Sequence, residues 1–164
     1  MVELGKQFWI CIKISAMEKQ DFANILSEML FPVGFKKKGN YWVINGDKIT
    51  KMVNLQKSQF GNSFYINYGY ILQALPLGVF KTHVENRIAF STKDENLKLH
   101  ELLDLDSNIS DEERIKSLKE ILQNKLVSKI QFINTEEDLL SELKQRSHLN
   151  DIPLVVKRHF NLPE

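Results

Sequence analysis

The chain has 164 residues, of which 43% are hydrophobic and 26% are charged, and its formal net charge is +1. These values are typical of a soluble globular protein and exclude the fibrous, disordered and membrane-spanning classes. A single cysteine, Cys11, excludes an internal disulfide and the cysteine-rich kind of zinc site, which favours a reducing, cytoplasmic location. We expect no metal and no cofactor.

The charges are unevenly distributed along the chain. Residues 1–90 carry 11 basic and 6 acidic groups, a net charge of +5, whereas residues 91–164 carry 11 basic and 15 acidic groups, a net charge of −4. This asymmetry predicts a bipolar molecule. Its basic half falls short of the strongly basic balance that is typical of a dedicated nucleic-acid-binding protein.

The N-terminal segment differs from the rest of the chain. Its apolar run, residues 8–12, is interrupted by Lys13 and is too short for a signal peptide or a membrane span, so we expect no membrane association. Met17 opens a segment that looks like a natural start. We therefore interpret residues 1–16 as an upstream extension, a short added strand or a disordered arm, and residues 17–164 as a single α+β domain.

A helix and three strands are predicted in the first half. Apolar residues recur at helical spacing over residues 18–31, and Pro32 and Gly34 mark the end of this helix. Asn45-Gly46 predicts a two-residue type I′ turn, which needs positive φ at both positions. The signals Asn45-Gly46 and Gly61-Asn62 separate strands over residues 41–44, 48–57 and 63–72.

Two-residue loops would fix the register of these strands. They would place Trp42 opposite Ile49 and Gln56 opposite Asn67. One face of the sheet would then be apolar and would pack on the first helix, through Trp42, Ile44, Ile49, Val53, Leu55, Phe64, Ile66, Tyr68 and Tyr70. The other face would be polar and uncharged, with Thr50, Met52, Asn54, Gln56, Ser58, Tyr65, Asn67 and Gly69.

Gly69, isolated within a predicted strand, indicates a bulge or the close approach of another backbone or ligand. Residues 83–90 alternate more loosely and add a fourth candidate strand.

Helical signals fill the second half of the chain. Residues 95–104 have an irregular helical spacing of leucines, and Ser110-x-x-Glu113 and Thr135-x-x-Asp138 are typical of helix N-termini. A last short helix is predicted after Asp151. Strands first and helices afterwards indicate an α+β fold, with a three- to four-stranded antiparallel sheet packed by an N-terminal helix and several C-terminal helices.

Three motifs follow one another in the first half. They are Gly34-Phe35-Lys36 after the first helix, Asn54-x-Gln56-Lys57-Ser58 in a strand, and a following strand with Asn67 and Gly69; Arg87-Ile88 comes later. This order resembles a bacterial domain-of-unknown-function family, the one numbered 4304, over about residues 18–90. The resemblance implies a fold group and no activity.

The first functional hypothesis is a non-enzymatic binding module that holds a protein partner. One candidate site is Asn54, Gln56, Lys57, Ser58 and Asn67, because amides on an open sheet face carry both donors and acceptors. The other is the lysine corner, residues 36–38. The alternative for this row is a polar ladder beneath the later helices, where the amides satisfy one another. Small bacterial proteins that neutralise a toxin would fit the first hypothesis by analogy.

The second hypothesis is a weak nucleic-acid or nucleotide binder. Its basic residues are Lys36, Lys37, Lys38, Lys51, Lys57 and Arg87, with tyrosine or tryptophan stacking. The alternative for the three consecutive lysines is a solvated strand entry that keeps the sheet edge from pairing with a neighbour.

The third hypothesis is an enzyme with an acid-base group made of His83 with Glu85 or Arg87. Sequence support for catalysis is thin, because the four histidines lack metal-ligand spacing and the chain has no HExxH, G-x-S-x-G, P-loop or GxGxxG motif. We therefore predict no catalytic residue.

Overall fold

The structure is a computed structural model, and it describes residues 16–164. The predicted α+β class is confirmed, and the antiparallel sheet has five strands in the order β1-β2-β3-β4-β5. The strands are β1 (Lys36–Lys38), β2 (Tyr41–Ile44), β3 (Ile49–Lys57), β4 (Phe64–Leu72) and β5 (Val84–Arg87). The helices are α1 (Lys19–Leu30), α2 (Lys93–Leu102), α3 (Asp111–Leu122), α4 (Ser128–Ile130), α5 (Glu136–Lys144) and α6 (Leu154–His159). Residues 1–15 lie outside the described part of the chain. The interpretations of residues 1–16 and of Cys11 therefore stay predictions.

Local signals at the helix ends were predicted well. Gly34 ends the turn after α1 with φ 97°, as predicted, whereas the reciprocal capping box of Glu18 and Asp21 at the start of α1 was not predicted. The hydroxyl of Ser110 accepts the Glu113 N–H, as expected. The N-terminal cap predicted from the Thr135 motif is present at the start of α5, where Thr135 and Asp138 form a full capping box. Residues 123–127 form a π-helical turn that joins α3 to α4.

Strand β1 was not predicted as part of the sheet. Lys36–Lys38 pairs with β2 through a two-residue turn in which Gly39 has φ 60°. Lysine has a low intrinsic preference for strands, so the run gives little local signal. The strand forms because the hairpin places it beside β2, and its lysines protect the sheet edge.

The predicted type I′ turn between β2 and β3 is wrong. Among the described non-glycine residues only Asn161 has positive φ, and Gly46 is not among the glycines with positive φ. The loop is longer, so that Ile44 pairs with Lys51 and Trp42 with Val53. Glycine is needed at position 46 for space, because a Cβ there would collide with the carbonyl oxygen of Ile49.

The loop between β3 and β4 is also longer than predicted. Lys57 pairs with Phe64 and Asn54 with Asn67, so the predicted pairing of Gln56 with Asn67 is wrong. In both hairpins the observed pairing is shifted from the predicted pairing by an even number of residues. Because side chains in a strand alternate with a period of two, every residue nevertheless keeps its predicted face.

One face of the sheet packs against the helices. Trp42 is fully buried there and its indole Nε1 donates to Ser27 Oγ of α1 at 3.0 Å. Phe22 of α1 meets Phe64 of β4 edge-on, with ring centroids 5.4 Å apart. We call this the helix face. In the described part of the chain, no helix combines the length and the apolar character needed to cross a membrane.

Candidate functional site

The opposite face of the sheet carries a polar row that crosses all five strands. Successive cross-strand pairs join Lys38 to Tyr41, Tyr41 to Asn54, Asn54 to Asn67, and Asn67 to Arg87. With strands about 4.8 Å apart, the row spans roughly 19 Å and has a cation at each end. We call this side of the sheet the open face, because its central residues Asn54 and Tyr41 are half-buried and Arg87 is exposed.

The amides of the row are linked by hydrogen bonds. Asn67 Nδ2 donates to Gln56 Oε1 at 2.8 Å and lies 3.5 Å from Asn54 Oδ1. Arg87 Nε donates to Asn67 Oδ1 at 2.9 Å, and its Nη2 lies 3.3 Å from Gln56 Oε1. The Arg87 guanidinium also stacks on the Tyr65 ring at 4.0 Å. These five residues form what we call the amide–arginine cluster.

The cluster combines the two alternatives considered for the amide row. Its buried member, Asn67, is satisfied by its neighbours, as in a polar ladder. Its outer members keep unused donors: within residues 16–164, Gln56 Nε2 and Arg87 Nη1 have no hydrogen-bond partner. The cation–π contact and the shared acceptors hold Arg87 in place, so these donors are oriented before any ligand arrives.

A small depression of about 40 Å³ lies beside the cluster. The β4–β5 loop contributes Lys81 and Thr82 to it, and β5 contributes Glu85. Thr82 Oγ1 is buried there without a hydrogen-bond partner among the described residues. A volume of this size accepts the tip of one side chain or a few waters.

Gly69 borders the depression, and its predicted role in a close approach is confirmed. A Cβ at this position would lie 2.5 Å from the Val84 carbonyl oxygen and 2.7 Å from Thr82 Oγ1. Glycine is therefore required where β4 and β5 pass one another, next to the amide–arginine cluster.

We expect Gly69→Ala to lower the free energy of unfolding by about 1–3 kcal/mol, because the methyl group forces the β5 backbone away from β4. Urea denaturation measures this change. Gly78→Ala is the control, since a Cβ there meets no atom within 4 Å and carries only the cost of a left-handed φ of 60°. A Gly69→Ala protein as stable as the wild type would show that the strands can separate freely here.

The other predicted site residues do not join the cluster. Lys57 is exposed at the end of β3 on the helix-face side, and the Ser58 hydroxyl accepts the Phe60 N–H in the following loop. Lys36 and Lys38 share the open face, but Lys37 points to the opposite side. Its Nζ donates to the Gly39 carbonyl at 2.6 Å and lies 5.5 Å from the Trp42 ring centre.

Lys51, one of the basic residues of the nucleic-acid hypothesis, is buried on the helix face. Its Nζ donates to the Ile130 carbonyl at 2.8 Å and to Asn134 Oδ1 at 2.7 Å, and the Gln131 carbonyl lies at 3.4 Å. It ties the C-terminal end of α4 to the sheet. The structure therefore does not bring the six predicted basic residues to one surface.

His83, the centre of the acid-base hypothesis, is also buried. Its Nδ1 accepts the Leu72 N–H at 2.9 Å, which places the ring proton on Nε2, and Nε2 lies 2.9 Å from the Pro76 carbonyl. Both nitrogens thus hold the β4–β5 loop. This geometry argues against an acid-base role, because the ring has no free nitrogen for a substrate.

Three residues near the site were not predicted to belong to it. Tyr41 enters the row only through the β2–β3 register, which the sequence did not give. Lys81 and Thr82 lie in a loop that has no sequence motif. Within residues 16–164, no three His, Cys, Asp or Glu side chains converge in a way that could hold a metal ion.

Comparison with known proteins gives one match. The model of the family described as "Domain of unknown function (DUF4304)" matches residues 26–131. The match begins eight residues later than the predicted range 18–90 and extends further, through α2, α3 and α4. No curated protein and no solved structure matches the chain.

Proposed function

Because the chain belongs to the DUF4304 family, whose description names no activity, we propose a function from the geometry of the open face: a non-enzymatic binding module that holds an acidic segment of another protein. The observation that carries the proposal is the pair of oriented, unused donors, Gln56 Nε2 and Arg87 Nη1. Donors of this kind pair with carboxylate or main-chain carbonyl oxygens of a partner.

The charges of the open face favour an acidic partner. Lys36 and Lys38 lie at one edge and Arg87 at the other, and Lys81 lines the depression between them. Glu85 is the one carboxylate that the described strands place on this face. Complementary charge accelerates association and selects among partners.

The β4–β5 loop adds apolar contact area beside these charges. Val79 is 95% exposed and Phe80 is 42% exposed, immediately before Lys81. An exposed aromatic and an exposed aliphatic side chain next to a polar surface are suited to anchor a protein partner. Such anchors favour a protein over a single small ligand.

Nucleic acid is the weaker candidate for the same surface. One side of the Tyr65 ring is covered by Arg87, which limits base stacking, and Lys51 is buried. Under the proposal, residues 17–164 act as one α+β unit in the cytoplasm of a bacterium. An immunity-like role, in which the open face neutralises an acidic surface of a toxin, is the form of this activity that we favour by analogy.

The test is affinity capture from native cell extract with three baits. We expect the wild type to retain a stoichiometric protein partner, and Lys38→Gln/Arg87→Gln to bind it at least about tenfold more weakly, because both ends of the row lose their charge. Lys57→Gln/Lys129→Gln removes two exposed cations away from the open face and serves as the matched control. Circular dichroism establishes that all three baits are folded.

Two results would contradict the proposal. Equal recovery of the partner by the double variant would place the interface elsewhere on the protein. Recovery of nucleic acid instead, with an affinity that falls steeply as salt rises, would favour the second hypothesis.

A further inference from the structure

A second cavity, of about 470 Å³, opens on the helix face, away from the proposed partner surface. Tyr68 and Tyr70 of β4 form one wall. The opposite wall, which we call the α5 wall, is formed by Ser141 and Glu142 of α5 and by Arg146, two residues after the end of this helix. Phe132 lies at the rim and is 68% exposed. The whole of the α5 wall lies beyond the family match, which ends at residue 131.

Tyr70 has an unused hydroxyl in this cleft. The residue is only 1% exposed, yet within residues 16–164 its hydroxyl forms no hydrogen bond. The described side-chain atoms that are buried without a partner are Thr82 Oγ1, Asn86 Nδ2 and Arg114 Nε, and the Tyr70 hydroxyl is not among them. The hydroxyl therefore keeps a small accessible area at the wall of the cleft, where a ligand can meet it.

The neighbouring Tyr68 also lines the cleft with a hydroxyl that forms no hydrogen bond in the described part of the chain. Its ring meets that of Tyr70 edge-on with centroids 6.4 Å apart. Burial, with a further contribution from Glu142, raises the pKa of both hydroxyls above their ordinary value. Both therefore keep their protons at neutral pH and can donate to a ligand.

The charged residues that line the cleft are two cations, Lys129 and Arg146, and two anions, Asp138 and Glu142, so its walls carry no net charge. Arg146 Nη2 lies 3.2 Å from Glu142 Oε1, and Arg146 Nη1 lies 3.4 Å from Asp151 Oδ2. Asp138 Oδ2 accepts the N–H groups of Asn134 and Thr135, so part of this carboxylate is already occupied. A ligand with a net charge would lose hydration here and would meet no net opposite charge in return.

We propose that this cleft binds a short uncharged peptide segment. Its carbonyl oxygens would accept from the two tyrosine hydroxyls, and its N–H groups would donate to the Ser141 hydroxyl and the Glu142 carboxylate. An apolar side chain would rest on Phe132. The volume lies in the range of pockets that hold small ligands, and it is sufficient for about two or three residues.

The cleft and the proposed partner surface open on opposite faces of the sheet, and of the residues that line them they share Tyr68. Tyr70 lines the cleft and not the depression, so a Tyr70 variant tests the cleft separately from the partner surface. The probes are dipeptides acetylated at the N-terminus and amidated at the C-terminus, with alanine, leucine or phenylalanine as the first residue. Amide chemical shifts of the full chain, recorded by NMR during titration, report the binding.

We expect at least one blocked dipeptide to shift the resonances of β4 and α5, and Tyr70→Phe to weaken its binding about fivefold through loss of one hydrogen bond. Tyr65→Phe, on the open face, should leave the affinity unchanged. Three results would each overturn the proposal: no shift with any probe up to about 10 mM, equal affinity in Tyr70→Phe, or tighter binding of the same dipeptides with free, charged termini.

Discussion

Replacement of Arg114 by methionine is expected to lower the free energy of unfolding by about 3–5 kcal/mol. The side chain is 2% exposed, and its Nη1 donates to the carbonyls of Leu102 at 2.6 Å, Asp104 at 2.8 Å and Glu101 at 3.1 Å. Its Nη2 lies 3.0 Å from Ser107 Oγ. The last carbonyls of a helix lack partners within it, and here Arg114 supplies those partners for the end of α2.

Methionine fills a similar volume but donates no hydrogen bond. The decrease in the free energy of unfolding therefore measures the cost of leaving the buried carbonyls without partners. Urea denaturation followed by circular dichroism measures it. Arg114→Lys keeps the charge with a less suitable donor geometry and should fall between the two proteins. Lys116→Met, at an exposed position of the same helix, should change stability by less than about 0.5 kcal/mol. A loss below about 1 kcal/mol in Arg114→Met would contradict the capping role.

Arg114 also illustrates what the sequence does not reveal. In the sequence it is one charge among the polar residues at the start of α3, where a solvated side chain is the ordinary expectation. Its acceptors belong to the last residues of α2 and to the turn that follows, seven to thirteen residues before it in the chain. Local patterns give no information on which carbonyls a turn leaves free, so the contact emerges only from the packed structure.

The predictable part of the fold is the part determined by short-range chemistry. The N-terminal caps of α3 and α5 and the glycine that follows α1 were identified because a helix end requires specific groups within four residues. Strand registers were wrong because loop length depends on how the whole hairpin packs. The faces were right because both register errors were even, and strand β1 was missed because pairing, not composition, creates it.

The candidate site also has a part that the sequence predicts and a part that depends on the packed structure. Alternation alone placed Asn54, Gln56 and Asn67 on one face, and the structure brings them together with Arg87. The continuous row from Lys38 to Arg87 could not be predicted, because it requires all four registers at once. The burial of His83 could not be predicted either, since its partners are main-chain groups of a loop without a motif.

Replacement of Lys51 by methionine is expected to lower the free energy of unfolding by about 2–3 kcal/mol at neutral pH. The wild-type ammonium donates to the Ile130 carbonyl and to Asn134 Oδ1, and it fixes α4 and the following turn to β3. Methionine leaves these acceptors without their donor. Asn134 is exposed, so its side chain can form a hydrogen bond with water instead. Lys129→Met, an exposed lysine one residue before Ile130, is the matched control and should be nearly neutral.

The difference between wild type and Lys51→Met should grow as pH rises toward 10.5, the ordinary pKa of lysine in the unfolded chain. Burial lowers the pKa of Lys51 in the folded protein, and the attraction of Asp138 offsets this only in part. Between the folded and unfolded pKa values, the unfolded chain therefore binds more protons than the folded protein. The free energy of unfolding of the wild type then rises with pH relative to that of the variant. Urea midpoints for both proteins at several pH values between 7 and 10.5 measure this gain. A difference that stays constant or shrinks over this interval would mean that the three acceptors, rather than burial, control the charge of Lys51.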